Sequence, residues 1–193
     1  MFKADRFKVM FNTLKFRIRT FPIWLLSKYF KFNSWHVYGS TQPKYQGECI
    51  RILNELGNRF TIVEIGCGLG SILKSVNYQN KYGLDIEENV ISAARFIDRR
   101  GKIDFVTGSF EEARKIQDID VLLAVNWVHN LDPRELISEL SYFTERKTLV
   151  LTEGVENYAF YHDESLFASH FKILKEVFVS EGKRHLFLLA SRQ

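Results

Sequence analysis

Two hydrophobic periods alternate along most of the chain. Short β-branched or aliphatic runs predict strands, and apolar residues three or four positions apart predict helices. The predicted strands cover 61–65, 81–85, 103–108, 120–127 and 148–152, and the predicted helices cover 43–56, 71–76, 87–99, 110–116 and 133–143. Repeated strand–helix units of this kind predict a parallel sheet with helices on both faces.

The carboxyl-terminal part has a different pattern. Residues 173–180 and 184–190 read as two strands around the turn Glu181-Gly182-Lys183, which predicts an antiparallel hairpin. The whole pattern therefore predicts an α/β fold: a doubly wound, mostly parallel sheet of seven strands that ends in an antiparallel hairpin.

Residues 1–32 form a basic segment with eight Lys or Arg against one Asp. The apolar residues of its first part follow the spacing of one helical face: Phe7, Met10, Phe11, Leu14, Ile18 and Phe21. Such a helix could pack on its own domain or on a second copy, or lie on a membrane surface. No recognition motif accompanies the charge, so we predict no specific nucleic-acid partner. We expect an amphipathic helical arm and cap over 1–42 and a catalytic domain over 43–193.

Composition narrows the class of protein further. The chain has 193 residues, of which 46% are hydrophobic and 26% charged, as in a single globular domain. No apolar run reaches the ~20 residues of a membrane span. Cys49 and Cys67 offer no disulfide framework, and the amino terminus has no clean signal peptide. We therefore expect a cytoplasmic protein, and since no compact set of metal ligands is present, no required metal.

A glycine-rich turn follows the first predicted strand of the body. It reads Glu64-x-Gly66-x-Gly68-x-Gly70, and Asp85 ends the next strand. Such a turn lets a nucleotide-like ligand approach the backbone, but the spacing differs from the dinucleotide motif. The Asp85 carboxylate can accept both hydroxyls of an adenosine ribose, and Glu64 can orient the loop or meet a cationic group. Alternatively, the glycines only permit tight packing and Asp85 caps the following helix.

At these residues the chain resembles the class I S-adenosylmethionine-dependent methyltransferases. The resemblance covers about residues 43–193, including the terminal hairpin, and implies a Rossmann-like fold with S-adenosylmethionine as cofactor and S-adenosylhomocysteine as product. It implies that Asp85 holds the ribose and that the methionine part is surrounded by Glu64, Gly66, Gly68 and Gly70, with Cys67 in the same loop and its thiol incidental.

The same resemblance implies further cofactor contacts. Ile86 would pack on the adenine, and the segment Gly108-Ser109-Phe110 would contact it, with Phe110 available for stacking. Asn126 and Trp127 would lie beside the sulfonium. The segment before the first strand often covers the cofactor in these enzymes, so Tyr38 would meet its carboxylate and Trp35 the substrate. The alternative for that segment is a buried linker that anchors the arm.

Candidate catalytic groups follow the fourth and fifth strands. His129 lies at the expected mouth of the crevice, and its ordinary pKa of ~6.5 suits removal of a hydroxyl proton. A structural histidine that caps the Asp132-Pro133 turn is the alternative. His162 and Asp163 could bind a sugar or act as a second acid–base pair, or merely begin the next helix. Arg184 and His185 open the last predicted strand, and they could point toward the substrate or, as we expect, face solvent at the hairpin end.

The chain lacks the proline pair of the [DN]-P-P-[YF] loop found in nucleic-acid amino methyltransferases. That favours an oxygen nucleophile. The segment Asn126-Trp127-x-His129, with Tyr161-His162-Asp163, also resembles small bacterial methyltransferases associated with surface-glycan biosynthesis. We therefore expect O-methylation of a small-molecule or sugar hydroxyl, in the cytoplasm and at the inner membrane face if the arm binds lipid. The alternatives are N-methylation of a small amine or protein, and a non-catalytic cofactor-binding partner subunit.

Overall fold

A seven-stranded sheet forms the centre of the protein. The computed structural model describes residues 21–39, 43–57 and 60–192. The strands are β1 (Thr61–Ile65), β2 (Asn80–Asp85), β3 (Asp104–Thr107), β4 (Val121–Ala124), β5 (Leu149–Val155), β6 (Lys172–Val179) and β7 (Arg184–Ala190), in the order β3-β2-β1-β4-β5-β7-β6. The first five are parallel, and β7 pairs antiparallel with both β5 and β6. The predicted sheet and terminal hairpin are confirmed.

Helices pack on both faces of the sheet. They comprise α1 (the helical residues 21–30), α2 (Trp35–Gly39), α3 (Pro43–Glu55), α4 (Glu88–Ile97), α5 (Phe110–Ala113), α6 (Pro133–Thr144) and α7 (Glu164–His170). One apolar cluster joins α3 and α4 to the sheet, and a second joins α5, α6 and α7 to its other face. The strand order reverses between β1 and β4, and in such sheets a ligand crevice opens at the carboxyl ends of the strands at this point.

The local signals place α6 as predicted. The Asp132 side chain accepts a hydrogen bond from the Arg134 backbone N–H at 2.8 Å, and Pro133 occupies the first turn. The predicted helix over 71–76 is instead a short 3₁₀ turn, Leu73–Ser75. The Lys81 ammonium donates to the carbonyls of Leu73 and Val76 there, so these acceptors are satisfied without a longer helix.

The amino-terminal arm is described only in part. The apolar stripe predicted between Phe7 and Ile18 lies outside the described residues. Helix α1 begins the described chain, and Ile23, Leu26 and Phe30 pack against a third apolar cluster that includes Phe32 and lies next to α4. Among the described helices, none is long and apolar enough to cross a membrane.

Candidate active site

A cavity of about 790 Å³ lies where the strand order reverses. It is bounded by the segments that follow β1, β2, β3 and β4 and by the segment before α3. The structure brings together ten of the residues predicted from sequence to bind the cofactor: Glu64, Gly66, Cys67, Gly68, Asp85, Ile86, Gly108, Ser109, Asn126 and Trp127. Residues that are distant in the sequence therefore converge on one site.

The glycine loop is held against the segment that follows β4. Gly66 has a left-handed φ of +73°, and a Cβ built there would lie 2.2 Å from Trp127 Cδ1. The Trp127 Nε1–H donates to the Ile65 carbonyl at 2.7 Å. Gly70 does not line the cavity, and a Cβ there would meet the Phe105 ring at 2.7 Å, so Gly70 serves the packing of the loop. Glycine is required at Gly66 by both conformation and space.

Asp85 fixes the shape of this loop. Its Oδ2 accepts from the Gly68 backbone N–H at 3.0 Å, and its Oδ1 accepts from the Glu87 backbone N–H at 3.0 Å. The carboxylate therefore holds both the loop and the residue that precedes α4, although no side-chain bond caps that helix. Since each carboxylate oxygen has two lone pairs, both oxygens retain acceptor capacity toward the cavity.

Glu64 carries an unsatisfied buried oxygen. It lines the cavity, its exposed fraction is only 4%, and its Oε2 has no hydrogen-bond partner. Burial, and secondarily the nearby charge of Asp85, raises the pKa of Glu64 to about 8. A buried carboxyl oxygen without a partner is costly, so Oε2 fits a cationic ligand group such as the ammonium of a bound amino acid.

The segment before α3 covers one side of the cavity. The Asn33 backbone N–H donates to Glu87 Oε1 at 2.7 Å, and His36 Nε2 lies 3.1 Å from Glu87 Oε2. Trp35 and His36 both line the cavity. The side chain of Tyr38, predicted to meet the cofactor carboxylate, lies outside the described residues. Glu87 therefore fastens this covering segment beside Asp85.

A buried ion pair lies behind the cavity wall and was missed in the sequence. Arg184 was expected in solvent, but its side chain is 3% exposed. Its Nη1 donates to Glu153 Oε2 at 2.7 Å and its Nη2 donates to Asn126 Oδ1 at 2.8 Å. Residues 186–189 are apolar on both faces of β7, so alternation along the strand gave no signal that Arg184 is buried.

The three predicted catalytic residues do not line the cavity. His129 is buried, with Nδ1 3.4 Å from Glu153 Oε1 and its ring centroid 3.9 Å from that of Tyr158. His162 is buried with Nε2 3.1 Å from the Leu131 carbonyl, and burial lowers its pKa. Asp163 accepts from the Leu166 backbone N–H at 2.9 Å and so caps α7. The prediction that these three side chains lie at the crevice is therefore wrong for their positions in this structure.

Phe110 also differs from its expected position. Ser109 and Glu112 form a capping box at the start of α5, which directs Phe110 inward. The Phe110 ring packs 5.6 Å from Trp127 and 6.2 Å from Phe143, measured between centroids, and does not line the cavity. Across the described parts of the chain, no cluster of three or more His, Cys, Asp or Glu could hold a metal ion.

Comparison with known proteins agrees with this architecture. The model of a methyltransferase domain family matches residues 63–147. No curated protein sequence matches the chain at a significant level.

Solved structures with a similar fold include several methyltransferases. Magnesium protoporphyrin IX methyltransferase from Synechocystis PCC 6803, with bound SAM, is 14% identical, with a TM-score of 0.61 over 79% of this chain and 80% of that one. The N-methyltransferase NodS from Bradyrhizobium japonicum WM9 is 10% identical, with a TM-score of 0.63 over 77% and 95%. The mitomycin 7-O-methyltransferase MmcR is 16% identical, with a TM-score of 0.63 over 81% and 56%. Residues 63–147 therefore match a methyltransferase domain, and the chain has the Rossmann-like fold that these solved methyltransferases share.

Proposed function

We propose that the protein transfers a methyl group from S-adenosylmethionine to an oxygen atom of a small-molecule acceptor. The cofactor supplies a methyl group activated by its sulfonium. In this proposal Glu64 holds the cofactor ammonium, and Asp85 holds the ribose hydroxyls with its remaining lone pairs. Ile86 and the Gly108-Ser109 segment line the same cavity and, in this proposal, form the walls around the adenine.

The orientation of the Asn126 amide supports an oxygen, and not a nitrogen, as the atom that is methylated. A guanidinium can only donate hydrogen bonds, so the amide atom that faces Arg184 Nη2 at 2.8 Å must be the oxygen. Asn126 lines the cavity and makes no described hydrogen bond through Nδ2. It therefore has a free Nδ2–H donor to offer to a substrate beside it, whereas its Oδ1 is already engaged by Arg184.

This donor distinguishes oxygen from nitrogen nucleophiles. A hydroxyl oxygen has two lone pairs, so one can accept from Asn126 while the other attacks the methyl carbon. A neutral amine has a single lone pair, which it needs for the attack, and its N–H groups would seek an acceptor. Alignment of the attacking atom is the main demand of a displacement reaction. The fixed amide therefore favours a hydroxyl acceptor.

We propose His129 as the base that removes the hydroxyl proton. Glu153 Oε1, 3.4 Å from His129 Nδ1, would favour the tautomer that leaves Nε2 free to accept a proton. The Tyr158 ring lies against His129 and is itself exposed, so an acceptor would reach His129 only by displacing Tyr158.

A sugar hydroxyl of a surface polysaccharide, or of its lipid-linked precursor, is the proposed acceptor class. This part rests on the sequence resemblance at 126–130 and 161–163 to methyltransferases of surface-glycan biosynthesis. The proposed place of action is the cytoplasm, at the inner face of the membrane where a lipid-linked precursor is carried.

Transfer of isotope-labelled methyl groups to matched panels of hydroxyl and amine acceptors tests the proposal. We expect the unmodified protein to label hydroxyl acceptors. Asn126→Asp, which exchanges the N–H donor for a carboxylate oxygen, should form at least tenfold less product. The same variant should bind S-adenosylhomocysteine as well as the unmodified protein does. Asn130→Asp, which adds the same charge to the same cavity wall, is the control. Preferential labelling of amines would refute the oxygen proposal. Cofactor binding without product from any acceptor would favour a partner subunit.

A further inference from the structure

We infer that the outward face of α1 is a docking surface for an anionic phospholipid bilayer. The inference deepens the proposed location and rests on the proposed function only for the lipid-linked class of acceptor. The surface consists of Phe21, Trp24, Leu25 and Tyr29, with Lys28 among them, and is called the aromatic face here.

Helix α1 is apolar on both sides. Ile23, Leu26 and Phe30 point inward onto the third apolar cluster, as a surface helix requires. The opposite side should then be polar, but the exposed fractions of its side chains are 58% for Phe21, 44% for Trp24, 48% for Leu25 and 79% for Tyr29. Helix α1 thus has two apolar sides, of which only one is packed against the protein. The exposed apolar side requires a second apolar environment.

The composition of the aromatic face matches the lipid headgroup region. Trp and Tyr prefer this region because their rings are apolar and their N–H or O–H groups are polar. The Lys28 ammonium lies 5.8 Å from the Trp24 ring centroid, and Lys31 is exposed just after the helix. Long Lys side chains can extend toward phosphate groups while their methylenes remain near the acyl chains.

The positive charge around the aromatic face favours an anionic bilayer over a second copy of this chain as its partner. Residues 1–32 carry eight Lys or Arg and one Asp, so the face lies within a strongly basic segment. Attraction to anionic headgroups increases with each basic residue, whereas two copies of this segment would repel each other. Complementary charge and aromatic content therefore point to an anionic bilayer.

The aromatic face is close to the covered side of the cavity. The third apolar cluster that holds α1 also contains Phe32, Val37 and Leu69. Leu69 lines the cavity, as does Trp35 of the covering segment. A bilayer bound at α1 would therefore lie on the side of the protein where Leu69 and the covering segment line the cavity, which fits an acceptor carried on a lipid.

Vesicle flotation of the full chain tests the surface. We expect the protein to float with phosphatidylcholine vesicles that contain phosphatidylglycerol and to float less with phosphatidylcholine alone. Trp24→Gln combined with Leu25→Gln should lower partitioning by about tenfold or more. Lys28→Gln and Lys31→Gln should each lower partitioning by about fivefold, on the anionic vesicles only.

A control variant likewise removes one exposed leucine and one exposed aromatic residue, from another surface. Leu174 and Phe178 on β6 are 45% and 56% exposed, so Leu174→Gln with Phe178→Gln changes exposed apolar area to a similar extent. This variant should float like the unmodified chain, and both double variants should bind S-adenosylhomocysteine normally.

Equal flotation of the two double variants, or absence of flotation of the unmodified chain, would overturn the lipid surface. A dimer that the Trp24 and Leu25 substitutions dissociate, without flotation, would also overturn it and assign the face to self-association. If flotation is absent but S-adenosylhomocysteine still binds, the lipid surface is refuted and the proposed methyl transfer is not. The two proposals can therefore fail separately.

Discussion

Binding of the cofactor should release close to one proton from Glu64. Burial and the nearby Asp85 raise the pKa of this carboxyl to about 8. At pH 7 a group with that pKa is about 0.9 protonated, so nearly every free molecule carries the proton. A bound ammonium would favour the ionised carboxylate, because its Oε2 has no other partner.

Calorimetric titration with S-adenosylhomocysteine in two buffers of different ionisation enthalpy measures this release directly. We expect about 0.9 proton released at pH 7, and an apparent affinity that rises almost tenfold per pH unit below pH 8. Glu64→Gln should abolish both effects. Release of less than about 0.2 proton by the unmodified protein, or release that persists in Glu64→Gln, would refute the reasoning.

The same pKa governs the stability of the free protein. The folded-state pKa of Glu64 is raised from 4.5 to about 8, so the folded protein binds a proton that the unfolded chain has lost. The free energy of unfolding therefore falls as pH rises between these values, by up to about 1.4 kcal/mol per unit. Glu64→Gln should flatten this dependence in urea unfolding.

Three further outcomes follow from the contacts of single residues. Arg184→Gln should reduce the free energy of unfolding by about 3–5 kcal/mol in urea titrations, because the Glu153 carboxylate is fully buried; a loss under about 1 kcal/mol contradicts the buried pair. Gly66→Ala should abolish binding of S-adenosylhomocysteine, whereas Gly101→Ala, with a similar φ but open space, should not; equal binding by both would refute the steric argument. Asp163→Ala should cost about 1 kcal/mol of stability through loss of the α7 cap and leave methyl transfer intact; lost turnover in the folded variant would restore its predicted catalytic role.

The fold could be predicted because its signals are local. The β-branched run at β1 and the Asp132-Pro133 start of α6 depend on neighbours in the sequence, and both were placed within a few residues. The glycine loop and Asp85 were found for the same reason, since each directly follows a predicted strand. The carboxyl ends of parallel strands meet at one edge, which is why these distant residues share a cavity.

The remaining features depend on contacts that local patterns do not contain. The Arg184–Glu153 pair arises from the antiparallel pairing of β7 with β5, which places residues 31 positions apart together. His129 followed a strand as expected, but the packing of Tyr158 over its ring removed it from the cavity surface. Phe110 was turned inward by the capping box of α5. In each case a side-chain direction, set by tertiary packing, decided the outcome.

The identity of the cofactor is the claim on which the account depends most. Calorimetric titration of the unmodified protein with S-adenosylhomocysteine, and with NAD for comparison, tests it most directly, with Asp85→Asn and Asp85→Ala as site variants checked for folding. We predict binding of S-adenosylhomocysteine, no comparable binding of NAD, and weakened binding in both folded variants, since Asp85 holds the Gly68 backbone and faces the ribose in this proposal. Absence of S-adenosylhomocysteine binding, or a preference for NAD, would contradict it.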